Sequence, residues 1–64
     1  MTLKEIKQAV IYGERVYWMN KSYEVILGAN GLFLIRYKPT GYCRGLTHSD
    51  GVTLNENTWE FFKG

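Results

Sequence analysis

The chain has 64 residues, of which 45% are hydrophobic and 16% aromatic, and its formal net charge at pH 7 is +2. A chain this short buries only about 60% of the surface that its unfolded form exposes, so it has room for one core and a single domain. That domain is residues 1–64. The apolar content excludes a disordered chain, and the small net charge is too mild to indicate nucleic-acid binding from composition alone.

Cysteine content and the length of apolar runs indicate the cellular compartment in which the protein is expected. The single cysteine, Cys43, cannot form an intramolecular disulfide, whereas small secreted domains usually depend on several. The longest uninterrupted apolar stretch, 32–35, is far shorter than the roughly 20 residues that span a bilayer. The N-terminus also lacks the charged-then-apolar pattern of an export signal. We therefore expect a cytoplasmic protein that does not associate with a membrane.

The first segment is predicted to form an amphipathic helix over residues 3–12. Thr2 and Glu5 match the capping box, in which each side chain accepts a hydrogen bond from the other residue's backbone N–H. Gly13 lies where a left-handed residue commonly ends a helix. The apolar stripe at helical spacing consists of Leu3, Ile6, Ala9 and Val10.

The rest of the chain has the pattern of an antiparallel meander, because short β-branched and aromatic runs alternate with turn residues. The predicted strands are 15–19, 23–27, 32–38, 42–47 and a short fifth one at 52–54, with turns at 20–21 and 49–51 among them. The closing segment, 56–64, fits either a strand or one helical turn. The predicted fold is therefore α+β: an N-terminal helix packed on a 4–5 stranded antiparallel meander, with closure into a small SH3-like barrel as an alternative.

If the hairpins close in the simplest register, side chains divide between two faces of the sheet. The predicted register has three cross-strand pairs: Trp18 with Tyr23, Leu27 with Leu32, and Lys38 with Tyr42. One face is then a core that the helix stripe would cover: Val16, Trp18, Tyr23, Val25, Leu27, Leu32, Leu34 and Leu46. The other face is more apolar than a solvated sheet face should be, because it includes Tyr17, Phe33, Ile35 and Tyr37.

Two explanations of this second apolar face stay open. Trp59, Phe61 and Phe62 could fold back over it, or the strands could curl into the barrel. Alternatively, Tyr17, Phe33, Ile35 and Tyr37 form a surface that binds a protein partner or a second copy of the chain.

The hairpin around Pro39 carries a second irregularity. The predicted register sets Arg36 opposite Arg44, and like charges directly across a strand pair are destabilising. Either the register is off by one residue or a neighbouring glutamate, Glu24, Glu56 or Glu60, neutralises the pair. The other explanation is a basic, tyrosine-flanked hairpin tip that meets an anionic partner, either an acidic protein patch or a nucleic acid. The nucleic-acid-binding residues would be Lys21, Arg36, Lys38, Tyr42 and Arg44.

Catalytic and metal-binding patterns are not found in the sequence. His48, Ser49 and Asp50 are adjacent in a turn, whereas the groups of a hydrolytic triad come from separated segments that face one another. One cysteine and one histidine cannot supply the three or four ligands of a zinc site. We therefore expect no enzyme activity, no cofactor, no metal and no small-molecule substrate.

Several short motifs give the chain a likeness to a known class of proteins. They are the initial Met-Thr-Leu-Lys-Glu-Ile, then Val16-Tyr17-Trp18, Gly45-Leu46-Thr47, Asp50-Gly51 and Leu54-Asn55. With them the chain resembles small uncharacterised phage- and prophage-encoded proteins. The resemblance implies an accessory protein that binds a host or phage macromolecule. The predicted function is therefore a small interaction module that binds a protein through an aromatic sheet face, with weak nucleic-acid binding as the alternative.

Overall fold

The computed structural model of the protein describes residues 1–48 and 53–64. One α-helix, α1 (Leu3–Ile11), precedes strands β1 (Val16–Trp18), β2 (Asn20–Leu27), β3 (Phe33–Tyr37) and β4 (Tyr42–Gly45), and a 3₁₀ turn (Thr58–Glu60) leads into β5 (Phe61–Lys63). The strands form one antiparallel sheet in the order β4-β3-β2-β1-β5. The predicted α+β class, with a helix on a meander, is confirmed. The sheet is not closed into a barrel, because β4 and β5 are its two edges.

Both ends of α1 are formed by the residues that the sequence indicates. Glu5 Oε1 accepts the Thr2 backbone N–H at 2.8 Å, and Thr2 Oγ1 accepts the Glu5 N–H at 3.2 Å. At the other end, Gly13 has φ +83° and donates to Val10 O, while Glu14 donates to Ala9 O. These two bonds are those of a Schellman motif, in which the left-handed residue lets the chain leave the helix with its last carbonyls paired.

The closing segment combines the two predicted alternatives, since one 3₁₀ turn is followed directly by a strand. β5 does not extend the meander beyond β4 but pairs with β1 on the opposite side of the sheet, with Tyr17 opposite Phe62 and Trp18 opposite Phe61. The predicted fifth strand at 52–54 falls partly outside the described residues, as does the predicted turn at 49–51. Leu54 itself forms a single antiparallel bridge with Thr47.

The reversal between β1 and β2 differs from the predicted turn at 20–21. Both of those residues belong to β2, and the chain reverses at Met19, whose φ is +63°. Its backbone N–H donates to Glu60 O at 2.9 Å, which holds this left-handed residue against the 3₁₀ turn. Tyr17 pairs with Glu24 as the predicted register requires, but the pairing becomes irregular between Tyr17 and Trp18, and Trp18 pairs with Asn20 instead of the predicted Tyr23.

The predicted register of the other two hairpins is wrong by one residue, because each loop is one residue longer than expected. Leu27 pairs with Phe33, so that Leu32 belongs to the loop and is 60% exposed. Tyr37 pairs with Tyr42, so that Lys38 belongs to the loop. Glycines in the left-handed region close both loops, Gly31 at φ +83° and Gly41 at φ +75°.

This shift changes which residues share a face, since a slip of one residue moves a side chain to the other side of a sheet. The face that α1 covers, here called the helix-side face, carries Val16, Trp18, Tyr23, Val25, Phe33, Ile35, Tyr37, Tyr42, Arg44 and Phe61. The opposite face, here called the outer face, carries Tyr17, Glu24, Ile26, Leu34, Arg36, Cys43 and Phe62.

The core lies between α1 and the helix-side face. Its buried members are Ile6, Ala9, Val16, Trp18, Val25, Ile35, Leu46 and Phe61. Of the predicted core residues, Leu32 is in a loop and Leu34 is on the outer face. Ile35, which was predicted to lie on the second face, is 1% exposed and belongs to the core.

Candidate functional site: an aromatic cleft

The corrected register brings three tyrosines into one row across the sheet. Tyr23 on β2, Tyr37 on β3 and Tyr42 on β4 lie directly opposite one another on the helix-side face. Trp18 on β1 extends the row, because its ring meets the Tyr23 ring edge-on at a centroid distance of 4.9 Å. The sequence places these aromatics on four different strands, and only the hairpin loops bring them together.

The rings form one wall of a cleft rather than a closed cluster. The centroids of Tyr23 and Tyr37 are 4.9 Å apart, and the two ring planes are inclined at 34°. Tyr42 is 67% exposed. The cleft has a volume of about 210 Å³ and is lined by Trp18, Tyr23, Ile35, Tyr37, Tyr42 and Arg44, with the buried Ile35 as its floor. We call these six residues the aromatic cleft.

Arg44 is the charged residue of the aromatic cleft, and two groups hold it in place. Its Nη2 lies 2.7 Å from Glu56 Oε2, and its guanidinium carbon lies 5.7 Å from the Trp18 ring centroid. Trp18 is itself oriented by a hydrogen bond from Nε1 to Glu60 Oε1 at 3.3 Å. Glu60 Oε1 also accepts the Asn57 N–H at 3.2 Å, so the 56–60 segment fixes both the arginine and the indole.

Three residues of the predicted protein-binding set, Phe33, Ile35 and Tyr37, lie on the helix-side face, and the fourth, Tyr17, lies on the outer face. Tyr37 lines the aromatic cleft, while Ile35 is its buried floor. Phe33 packs partly buried against the core, with Lys7 Nζ 5.5 Å from its ring centroid. Tyr17 lies on the outer face, buried beneath Phe62 with ring centroids 5.7 Å apart.

The C-terminal aromatics therefore divide between the two faces. Phe62 covers Tyr17, which agrees with one of the two explanations left open for the second apolar face, and the backbone of Gly64 also lies against that ring. Phe61 instead enters the core on the helix-side face. Trp59 covers neither face and is 77% exposed.

The predicted basic set is divided as well. Arg44 and Tyr42 are in the aromatic cleft, whereas Lys21 is an exposed residue of β2 that does not line it. Arg36 and Lys38 instead belong to the outer side of the sheet.

The predicted clash between Arg36 and Arg44 does not exist. Arg36 lies opposite Glu24 on one side and Cys43 on the other, and opposite charges across strands are favourable. Glu24 also accepts Lys38 Nζ at 3.1 Å, and that ammonium lies 5.0 Å from the Tyr17 ring centroid. Both explanations based on ordinary packing are thus realised: the register is off by one, and neighbouring glutamates pair with the cations.

Sequence reasoning assigned Trp18 and Tyr23 to the core and did not group them with Tyr37 and Tyr42 as a site. The cleft could have been predicted by testing hairpin loops one residue longer and asking which aromatic side chains then lie on the same face of the sheet. In that register Tyr23, Tyr37 and Tyr42 fall into a single row.

Metal-binding and membrane-spanning features were sought over the same part of the chain. Among residues 1–48 and 53–64, no three His, Cys, Asp or Glu side chains are grouped so that they could hold a metal ion. Within those residues, no helix is long and apolar enough to cross a bilayer. Of the adjacent residues 48–50, which resemble a triad only in composition, His48 alone is described.

No protein-family model, curated protein or solved structure matches this chain. The aromatic cleft is therefore interpreted from its own geometry and chemistry.

Proposed function

We propose that this protein is a small non-enzymatic interaction module that binds a protein partner through the aromatic cleft. The observation that carries the proposal is an apolar cleft of about 210 Å³ whose wall includes the exposed ring of Tyr42 and whose edge carries Arg44. Tyrosine, tryptophan and arginine are the residues most enriched at the energetic centres of protein interfaces. A rigid aromatic wall also binds with little loss of side-chain entropy.

The binding surface proposed here differs from the one that the sequence predicts. Tyr37 is common to both, and Tyr42 and Arg44 come from the predicted nucleic-acid set. Tyr17 is buried on the outer face and supports the fold, while Ile35 takes part only as the buried floor of the aromatic cleft. The role of a phage-type accessory protein stays a prediction, as does binding to a second copy of the chain.

Nucleic-acid binding is a second candidate, favoured by the position of Tyr42 and Arg44 side by side in the aromatic cleft. Two observations weigh against it. Arg44 and Lys38 are already paired with glutamates, and Arg36 and Lys38 lie on the other side of the sheet. Phosphate contacts would make the affinity fall steeply between about 50 and 200 mM salt. A flat response to salt would exclude this candidate.

The proposed function is tested by capturing partners on the immobilised protein and mapping where they bind. Wild type, Tyr42→Ala and Arg36→Met are compared, because Tyr42 lies in the cleft and Arg36 on the outer face. A partner identified by mass spectrometry and purified should shift the amide signals of residues 35, 37, 42 and 44 in an NMR titration. Capture that is equal on all three proteins, or shifts confined to other regions, would refute the proposal. Light scattering over a dilution series identifies a second copy as the partner.

A further inference from the structure

We propose that a second site on this protein binds an arginine side chain of a protein partner. The site is an open pocket of about 350 Å³, here called the Trp59 pocket, which is lined by Met19, Trp59, Glu60 and Phe62. None of these four residues lines the aromatic cleft, so the proposal does not depend on the cleft being a binding surface. Two observations carry it: an exposed aromatic wall, and a carboxylate that forms no ion pair within the described part of the chain.

The wall of the Trp59 pocket presents apolar side chains to solvent. Trp59 is 77% exposed, Met19 58% and Phe62 36%. The Phe62 ring is held in place by the Tyr17 ring, with the two centroids 5.7 Å apart. Apolar side chains that are exposed together, rather than singly, mark an interaction surface. The three methylenes of an arginine pack on such a surface while the charged head reaches its edge.

Met19 reaches the pocket from a strained backbone conformation. Its φ is +63°, which costs free energy for any residue other than glycine. Its N–H donates to Glu60 O at 2.9 Å, and this bond joins the two sides of the pocket. Strained backbone is concentrated at ligand-binding and active sites. The strain at Met19 therefore supports a binding role for this pocket, in which the thioether lies beside the carboxylate.

The charge of the pocket favours a cation. Of the four lining residues, Glu60 alone is ionised at neutral pH. Its Oε1 accepts the Trp18 Nε1–H at 3.3 Å and the Asn57 N–H at 3.2 Å, and both of these donors are neutral. Because both bonds end on Oε1, Oε2 is the oxygen that a cationic ligand would approach. A guanidinium entering the pocket therefore meets negative charge, whereas a partner's carboxylate would be repelled.

Cations elsewhere in the chain are paired with other carboxylates. The three ion pairs are Lys38 with Glu24 at 3.1 Å, Arg44 with Glu56 at 2.7 Å, and Lys63 with Glu14 at 3.2 Å. The N-terminal ammonium donates to Thr58 O at 2.9 Å, and Met1 lines a separate cleft together with Glu5 and Glu14. None of the ion pairs among residues 1–48 and 53–64 includes Glu60. The negative charge of the Trp59 pocket is therefore available to a ligand.

The chemistry of the wall favours arginine over the other cations of a protein. Tryptophan is the side chain whose ring attracts cations most strongly, and the Trp59 indole is largely exposed. A guanidinium is planar and weakly hydrated, so it stacks on an aromatic face, whereas the ammonium of lysine is a compact and strongly hydrated charge. The guanidinium fork can donate to Glu60 from the same position. The carboxylate would in turn repel the phosphates of a nucleic acid.

The test uses blocked peptides on the full chain. The probe is acetylated and amidated Gly-Arg-Gly, with matched peptides in which citrulline, Lys, trimethyl-lysine or Leu replaces Arg; citrulline has the shape of arginine without its charge. Binding is followed by NMR through the Trp59 indole N–H and the amides of residues 19, 60 and 62. We expect the Arg peptide to bind about fivefold tighter than the citrulline peptide, from one partly exposed cation–π contact and one surface ion pair. The protein's net charge of +2 would by itself disfavour the Arg peptide, so this preference is not a general charge effect.

Two variants separate the carboxylate from the aromatic ring. Glu60→Gln keeps an oxygen that can accept from Trp18 and Asn57 but removes the charge, and it should remove most of the preference for Arg over citrulline. Trp59→Leu keeps an apolar side chain without a π face and should weaken the same preference, with little effect on folding because Trp59 is exposed. Glu14→Gln is the matched control, since it changes the net charge equally outside the pocket and should leave the preference unchanged.

Several outcomes would overturn the proposal. They are equal binding of the Arg and citrulline peptides, binding of the Lys, trimethyl-lysine or Leu peptide as tight as that of the Arg peptide, and no shift at the pocket up to the solubility limit of the Arg peptide. A preference that persists in both Glu60→Gln and Trp59→Leu would place the site elsewhere and also overturn it. Partner capture by wild type but not by Tyr42→Ala would still support the proposed function in each of these cases, because Tyr42 lies outside the Trp59 pocket.

Discussion

Arg44 on β4 reaches the ring of Trp18 on β1, with its guanidinium carbon 5.7 Å from the ring centroid, although β3 and β2 lie between these two strands in the sheet. Neighbouring strands are about 4.8 Å apart, so the backbones of β4 and β1 are about 14 Å apart across the sheet. The two long side chains therefore reach toward each other over β3 and β2, and their contact joins the two ends of the aromatic cleft.

The contact between Arg44 and Trp18 should be measurable as an energetic coupling. In a double-mutant cycle of Arg44→Met with Trp18→Phe, we expect a coupling of about 0.5–1 kcal/mol in urea unfolding, as for partly exposed cation–π pairs. The matched cycle of Arg36→Met with Trp18→Phe should be additive, because Arg36 lies on the outer face. Additivity in both cycles would mean that the two side chains do not interact in solution.

The shifted register predicts that truncating two apolar residues three positions apart changes the free energy of unfolding by very different amounts. Ile35→Ala should lower the free energy of unfolding by about 3 kcal/mol, because it leaves a cavity in the core. Leu32→Ala should change it by about 0.5 kcal/mol or less, because Leu32 is a loop residue exposed to solvent. Chemical denaturation of both variants is the measurement. A larger loss for Leu32→Ala would restore the register that the sequence alone predicts.

The capping box predicts a pH dependence of stability. The hydrogen bond from the Thr2 backbone, followed by that from its side chain, lowers the pKa of the Glu5 carboxyl below its ordinary value of 4.5. Because the folded pKa is depressed, this contribution is present above the ordinary value and is lost as the pH falls through the folded pKa. Glu5→Gln keeps an oxygen acceptor that does not titrate, so its stability should fall less than that of wild type between about pH 5 and pH 3. Parallel acid profiles for the two proteins would contradict the role of this carboxylate.

Met19 predicts a substitution that stabilises the protein. Its φ of +63° costs a non-glycine residue about 1–2 kcal/mol, whereas its side chain is largely exposed. Met19→Gly should therefore stabilise the protein by about 0.5 kcal/mol, after the greater entropy of glycine in the unfolded chain is subtracted. Met19→Ala, which keeps the strain, should not stabilise it. Thermal unfolding of the two variants provides the comparison, and destabilisation by Met19→Gly would show that the side chain packs more tightly than its exposure indicates.

Local chemistry made α1 and the strand segments predictable. Thr2, Glu5 and Gly13 act within one turn of the helix ends that they define, so their roles follow from spacing alone. The loops were harder to predict, because Leu32 and Lys38 directly flank the strand 33–37 and the structure uses them in turns. The residue added to the β2–β3 loop moved Phe33, Ile35 and Tyr37 to the helix-side face, and the residue added to the β3–β4 loop kept Tyr42 and Arg44 on that same face.

The pairing of β5 with β1 could not be predicted from the sequence, for a different reason. β5 lies beside β1, more than forty residues earlier in the chain, and no local pattern encodes which edge of a sheet a closing strand will join. The aromatic cleft shares this difficulty, since it needs Arg44 and Trp18 from strands that do not pair and Glu56 from the closing segment. The sequence shows that the chain is rich in tyrosine, but which tyrosines form the site depends on how the strands pair.

The central claim is that the aromatic cleft is the binding surface, and Tyr42→Ala tests it most directly because that side chain is exposed on an edge strand and contributes little to the core. The measurement is the affinity of a purified protein partner for wild type, Tyr42→Ala and Arg36→Met by isothermal titration calorimetry. We expect Tyr42→Ala to weaken binding by about 30-fold, corresponding to about 2 kcal/mol at an interface hot spot, and Arg36→Met to leave it unchanged. Unchanged affinity in Tyr42→Ala, with the variant still folded, would contradict the account.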